Sequence, residues 1–194
     1  MILPIIAYGD PVLRKVGKEI TKDYPNLKQL IQNMKETMHN ANGVGLAAPQ
    51  IGKAIRLFMI DASPFAESKE LKTKEKEFLK TFNHVFINAK IIKEENDEWA
   101  FGEGCLSIPN INEDVMRQET IYIEYVDESF TPQKETLNGL AARIFQHEYD
   151  HIEGILFTDK LSSLKKRLLK KKLENISKGK VEVDYRMRFP NLKR

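Results

Sequence analysis

Apolar residues fall in a regular order along several stretches of the chain, and the spacing changes from one stretch to the next. Leu27, Leu30, Ile31, Met34 and Met38 recur at three- and four-residue steps, the period of one face of a helix. "NANG" follows as a turn and cap signal. "AIRLFMID" and "FNHVFINAKII" are apolar runs that read as strands. In "ETIYIEYVD", Ile121, Ile123 and Tyr125 alternate with Tyr122, Glu124 and Val126, the two-residue period of a strand with one buried face. Between the last two runs, "WAFGEGCLSIPN" is extended but punctuated by Gly and Pro. Residues 138–153 read as a helix that Asn138 can cap and Gly154 can end. A second helix from about Leu161 keeps Leu161, Leu164, Leu168, Leu169, Leu173 and Ile176 on one apolar stripe and is otherwise strongly basic. Residues 63–80 are charged and lysine-rich, and read as a solvated insertion loop with some helix.

Strands first and the main helix late, with one early helix, argue for an α+β fold rather than a βαβ repeat. No repeat or linker divides the 194 residues, so the expectation is one domain, 1–194, with a basic C-terminal amphipathic helix and tail at about 161–194. Hydrophobic residues make up 41% and charged residues 30%, an ordinary composition for a soluble protein. A net charge of +3 is too small to argue for DNA or RNA by itself. No stretch approaches the roughly 20 apolar residues that span a bilayer, and the N-terminus has no secretory leader pattern. The expected location is the cytoplasm, without a membrane partner. The single cysteine, Cys105, rules out an internal disulfide framework and becomes a candidate for chemistry.

Two of the four histidines lie in "FQHEYDHIEG", as His147 and His151 around Glu148. Advancing about 100° per residue from Leu140 puts Ile144 near 40°, His147 near −20°, His151 near 20° and Glu148 near 80°. Arg143, Gln146, Asp150 and Glu153 gather opposite. Both imidazoles and the carboxylate therefore share the apolar arc, where unpaired polar groups are costly. Hydrogen-bonded core histidines would satisfy that arc; so would a divalent metal held by both imidazoles beside a glutamate base. An open catalytic site needs a third protein ligand. The extended zinc-peptidase pattern would put a histidine where this chain has Phe157. Cys105, flanked by Gly104, is the remaining soft ligand, and a thiolate with two imidazoles suits zinc, ferrous iron, nickel or cobalt.

"GVGLAAPQIG", "EGCLS" and "QHEYDH", in that order, resemble the three motifs of the peptide deformylase family. "YGDPVLRKVGKEI" and "FINAKII" are similar to further family segments, so the resemblance runs from about Ile5 to Leu169. It implies an α+β fold in which β-structure surrounds a central helix carrying H-E-x-x-H. It implies a metal-dependent hydrolase that removes the N-formyl group from N-formylmethionyl nascent peptides and releases formate. Cys105, His147 and His151 match the family's metal ligands, for one divalent ion that is typically ferrous iron, with nickel, cobalt or zinc also accepted. Glu148 matches its acid/base residue. Gln50 and the backbone N–H of Leu106 match its oxyanion donors, and Gly45 a main-chain substrate contact. Arg117 falls where the family has an arginine after the cysteine motif and is taken as a substrate-side residue.

An apolar pocket should receive the methionine side chain. Val44, Phe101, Leu140 and Ile144 flank the motifs or share the histidines' helical face, and each could equally be core. From 160 to 180 there are nine Lys or Arg and one Glu. Such a run is ordinarily a solvated helix face, and its sharper reading is a contact with ribosomal RNA. The alternatives are a zinc endopeptidase of H-E-x-x-H type, which would use a ligand other than cysteine, and an inactive binding protein of deformylase shape, which would show a broken site.

Overall fold

The alternation at Ile121, Ile123 and Tyr125 buries those side chains and leaves Tyr122 exposed, and the strand that carries it is far longer than the pattern announces. The computed structural model describes residues 1–191. Its strands are β1 (Ile5–Ile6), β2 (Gly45–Ala47), β3 (Leu57–Asp61), β4 (Asn83–Cys105), β5 (Ile108–Val126), β6 (Pro132–Asn138) and β7 (Met187–Arg188). Its helices are α1 (Leu27–Asn40), α2 (Thr73–Thr81), α3 (Gly139–Ile152) and α4 (Ser163–Ser177). Strands β2 to β6 form one sheet in sequence order, antiparallel throughout. The glycines and proline of 99–110 do not interrupt it: β4 and β5 stay paired from Ile87↔Val126 to Cys105↔Ile108, with register shifts on the way. β1 and β7 pair in parallel and bring the C-terminal tail back beside the N-terminus.

Helix α3 sits at the centre of this sheet, as expected of the H-E-x-x-H segment. Ala141, Ala142, Phe145 and Ile152 pack with Phe58, Phe86, Ile121, Ile123 and Leu137. The Phe145 ring meets Phe86 edge-on at 5.0 Å and Phe58 at 5.1 Å. A buried Phe of this kind contributes about 1.5–3 kcal/mol of burial. Helix α1 packs its predicted face, Leu27, Leu30, Ile31, Met34 and Met38, with Leu46, Leu57 and Met59.

Three expectations are corrected. The polar side of α3 is not a solvent face: Arg143, Gln146 and Asp150 are 2%, 4% and 7% exposed. They are covered because the curled sheet meets them with its own polar groups. Arg143 Nη1 donates to Val115 O at 2.8 Å, and Gln146 Nε2 donates to Gln118 O at 3.0 Å. Residues 63–80 include the expected helix and keep an exposed charged surface, but they are docked on the body rather than forming a free loop. A 3-10 turn (Ser63–Glu67) and α2 dock there, with Leu79 fully buried and Phe65 and Leu71 packed on the core. Asn138 does not cap α3 with its side chain; its Oδ1 accepts from Thr120 Oγ1 at 2.7 Å. Glu75 of α2 caps instead, Oε1 accepting from Leu140 N at 3.3 Å, where a carboxylate also meets the positive end of the helix dipole.

The basic helix α4 begins at Ser163, with Ser162 as its N-cap accepting from Lys165 N. Leu169, Leu173 and Ile176 are its buried face, in a cluster with Leu161, Phe157 and Ile108. Leu164 and Leu168 leave the predicted stripe and stand 57% and 69% exposed; the helix rests on the body through Leu169, Leu173 and Ile176 and through the Lys165–Glu113 ion pair at 2.7 Å.

Candidate active site

Three elements converge on one cleft. The end of β4 supplies Cys105, α3 supplies His147, Glu148 and His151, and the turn after β2 supplies Gln50. One ligand atom from each of Cys105, His147 and His151 lies within 4.8 Å of the others, the one such group that could hold an ion among the described residues. His151 Nε2 is 3.2 Å from Cys105 Sγ. The Nδ1 of His147 is 2.9 Å from Glu103 Oε2 and placed to donate to it, which turns the other ring nitrogen toward the cysteine. Where a third histidine would stand in the peptidase pattern, buried Phe157 stacks on the His147 ring at 6.1 Å. The donor set fits a single divalent ion: a thiol and two imidazoles face one another with no other partner for that side of the rings.

Glu103 was not singled out from the sequence, although "EGCLS" contains it. It is buried and gathers Arg117 at 2.7 Å, Arg143 at 3.0 Å and His147 at 2.9 Å. Burial alone would raise its pKa, but the hydrogen bonds from Arg117 and His147 overcome this and hold it well below the usual carboxylate range. A carboxylate behind a ligating histidine fixes the ring's tautomer and direction. The available signal was parity: in the extended segment Glu103 and Cys105 are two apart and share a face.

The two histidines are pulled in opposite directions. Burial works against a charged His147, yet its hydrogen bonds to Cys105 and Glu103 prevail and lift its pKa well above 6.5. Burial and the neighbouring positive charge of His147 push His151 well below 6.5. Burial also raises Glu148, to about 7, against the opposing pull of His147. Its Oε2 is buried without a hydrogen-bond partner, and the residue lines the cleft. A carboxylate poised near neutrality can both take and return a proton.

Gln50 lies in a 3-10 turn, Ala48–Ile51, that Pro49 starts and Gly52 ends in the left-handed region at φ 84°. Its Oε1 accepts from Ala47 N at 2.8 Å. That fixes the amide so that Nε2 points to Ser107 Oγ at 3.3 Å and Cys105 Sγ at 3.4 Å. Leu106 follows Cys105 in the tight turn joining β4 to β5, where Cys105 pairs with Ile108.

The cleft holds about 980 Å³ and is lined in part by Val44, Gly45, Phe101, Leu106 and Ile144. Two expected lining residues are elsewhere. Leu140 is buried in the main core, one turn before Ile144, and does not reach the cleft. Arg117 is absent from the cleft lining and buried, tying Glu103 to Asp150 at 2.7 Å each. The tail, which carried no recognised motif, contributes Glu182, Val183, Asp184 and Tyr185 to one wall; its last three residues, 192–194, lie outside the described ones.

The comparisons agree with this geometry. The sequence pattern of the family described as "Polypeptide deformylase" matches residues 2–167. The chain is 66% identical to the peptide deformylase of Christiangramia forsetii over 194 residues, all of this chain and 99% of that one. It is 50% identical to the peptide deformylase of Cytophaga hutchinsonii over 190 residues, 98% of each. The crystal structure of a peptide deformylase from Legionella pneumophila matches with TM-score 0.77 at 37% identity, covering 93% of this chain and 98% of that one. The peptide deformylase structure from Thermotoga maritima matches with TM-score 0.72 at 37% identity, covering 84% and 99%. With its cysteine-containing ligand group and its match over nearly the whole length, the chain belongs to the polypeptide deformylase family, enzymes that remove the N-formyl group from nascent polypeptides.

Proposed function

We propose that Cys105, His147 and His151 hold one divalent ion, ferrous iron in the native enzyme with nickel, cobalt or zinc able to replace it. Around it, Glu148, Gln50 and the Leu106 N–H carry deformylation. The observation behind this reading is that Cys105, His147, Glu148 and Gln50 line one cleft, with buried His151 completing the ligand group beside Cys105. A divalent ion in such a site makes a water acidic enough to supply a nucleophile near neutral pH.

Glu148 takes a proton from the attacking water and returns it to the leaving amine. As the formyl carbon becomes tetrahedral, Gln50 Nε2 and the Leu106 N–H donate to its oxygen, where negative charge develops. The C–N bond then breaks, giving formate and a free amino terminus. Gly45 offers main-chain groups to the peptide, as strand addition at a sheet edge does; β2 is that edge. Val44, Phe101 and Ile144 form the pocket for the methionine side chain.

The whole of 1–194 serves as one catalytic domain, in the cytoplasm where formylated chains emerge. No described helix is long and apolar enough to cross a membrane. The exposed lysines of α4 are suited to ribosomal RNA through phosphate contacts, and ribosome binding should fall when residues 160–194 are removed. The decisive experiment is anaerobic purification, metal analysis and a formate assay on formyl-Met-Ala-Ser. One metal per chain with formate release supports the reading, and an iron- or nickel-loaded enzyme without release overturns it.

A further inference from the structure

The turn that carries Leu106 is held from outside its own hairpin. Leu106 and Ser107 join Cys105 to its partner Ile108, and the register slips just before, between Gly104 and Cys105. Two-residue hairpin loops favour turns with positive φ at the first or both central positions, because those match the strands' twist. Neither Leu106 nor Ser107 has a positive φ. The ladder alone therefore does not set how the peptide groups of this turn face the cleft.

Three contacts from elsewhere set it. Tyr8 N–H donates to Ser107 O at 2.9 Å, Gln50 Nε2 reaches Ser107 Oγ at 3.3 Å, and the Tyr185 hydroxyl donates to Leu106 O at 2.8 Å. The first two grip Ser107, while Tyr185 grips Leu106 itself. Its hydroxyl arrives on a strap fixed at both ends. Asn110 Nδ2 donates to Glu182 O at 3.1 Å on one side. On the other, Ile5 N and Ala7 N donate to Arg186 O and Arg188 O, both at 2.9 Å. The Tyr185 ring packs against the core cluster that Leu106 also borders.

We propose that Tyr185 is a positioning residue: through the Leu106 carbonyl, the C-terminal strap fixes the turn so that the Leu106 N–H faces the cleft. This rests on the reading of Leu106 as an oxyanion donor. The strap thereby becomes part of the machinery for the reaction rather than a trailing end.

Tyr185→Phe deletes only the hydroxyl. Removing a whole oxyanion donor costs about 100- to 1,000-fold in kcat, and loosening one should cost about tenfold. The expected result is that loss of kcat on formyl-Met-Ala-Ser with KM unchanged, and faster amide hydrogen exchange over residues 104–108 in both metal-free and metal-loaded protein. Metal content and Tm should be those of the parent. A kcat within about twofold of the parent, or unchanged exchange over 104–108, overturns the proposal. Should Tyr185→Phe fail to fold, Asn110→Gly decides, glycine adopting the φ of 62° at this position without strain. It frees the strap at Glu182 with the hydroxyl in place, and should give a smaller loss of kcat at constant KM; no loss overturns the proposal. Gln50→Ala runs beside them. If it keeps full activity, the oxyanion reading fails; if it loses activity while Tyr185→Phe does not, only the role of Tyr185 fails.

Discussion

Gly45 lies so close to Glu148 that a β-carbon on it would come within 2.6 Å of the glutamate's carboxyl carbon. Glycine is needed there for room, since its backbone is not in the left-handed region. Edge strand β2 and the proposed acid/base residue are thus packed against each other. Gly45→Ala should displace the carboxylate, and a misplacement of about 1 Å costs about 100-fold in rate. Steady-state kinetics check this: the loss should fall mainly on kcat, and a variant with the parent's kcat would show that the carboxylate does not need that space.

Glu103 holds the outer nitrogen of His147 at 2.9 Å. Replacing such a partner costs about 10- to 100-fold in metal affinity. Glu103→Gln keeps the shape and removes the charge, so metal should be lost to a chelator at correspondingly lower concentration. Competition titrations of both proteins against the same chelator measure this, and equal affinities would leave Glu103 a purely structural ion-pair partner.

The same residue sets a pH dependence of stability. Its folded pKa is depressed below its ordinary 4.5, so the unfolded chain binds its proton first as pH falls. The stabilisation is present above about pH 4.5 and is lost as pH drops toward the folded value. Thermal melts at pH 7 and at successive steps to about pH 3 should show parent and Glu103→Gln converging as acid is added. A constant gap in Tm across that range would contradict the assignment.

Glu75 supplies the cap that the sequence offered to Asn138. Losing an N-terminal acceptor costs about 1 kcal/mol, and Glu75→Ala should lower stability by about that much in urea titrations. Asn138→Ala would instead remove the acceptor for Thr120. If Glu75→Ala left the midpoint unchanged, α2 would not be the support of the histidine helix.

The parts of the site that lie on one element were legible in the sequence. His147, Glu148 and His151 share an arc that angles alone reveal, and the alternation at Ile121, Ile123 and Tyr125 marked the buried face of β5. The parts set by partners were not. Arg143, Gln146 and Asp150 read as a solvent face because a helical angle cannot show that a polar sheet surface covers them. Arg117 kept its polar character but faces Glu103 and Asp150 rather than substrate. Leu140 and Ile144 have the same periodic position, and only the depth of packing separates core from cleft. The tail's role depends on a parallel pairing of Ile5 with Met187, a relation between chain ends that no local pattern carries.

In the proposed mechanism Glu148 moves the proton for a metal site built from Cys105, His147 and His151. Formate release from formyl-Met-Ala-Ser by Glu148→Ala, purified anaerobically alongside the parent with metal counted in both, tests it most directly. Equal metal content and a kcat lower by at least about 100-fold are expected. Metal-replete Glu148→Ala releasing formate at the parent's rate would contradict it.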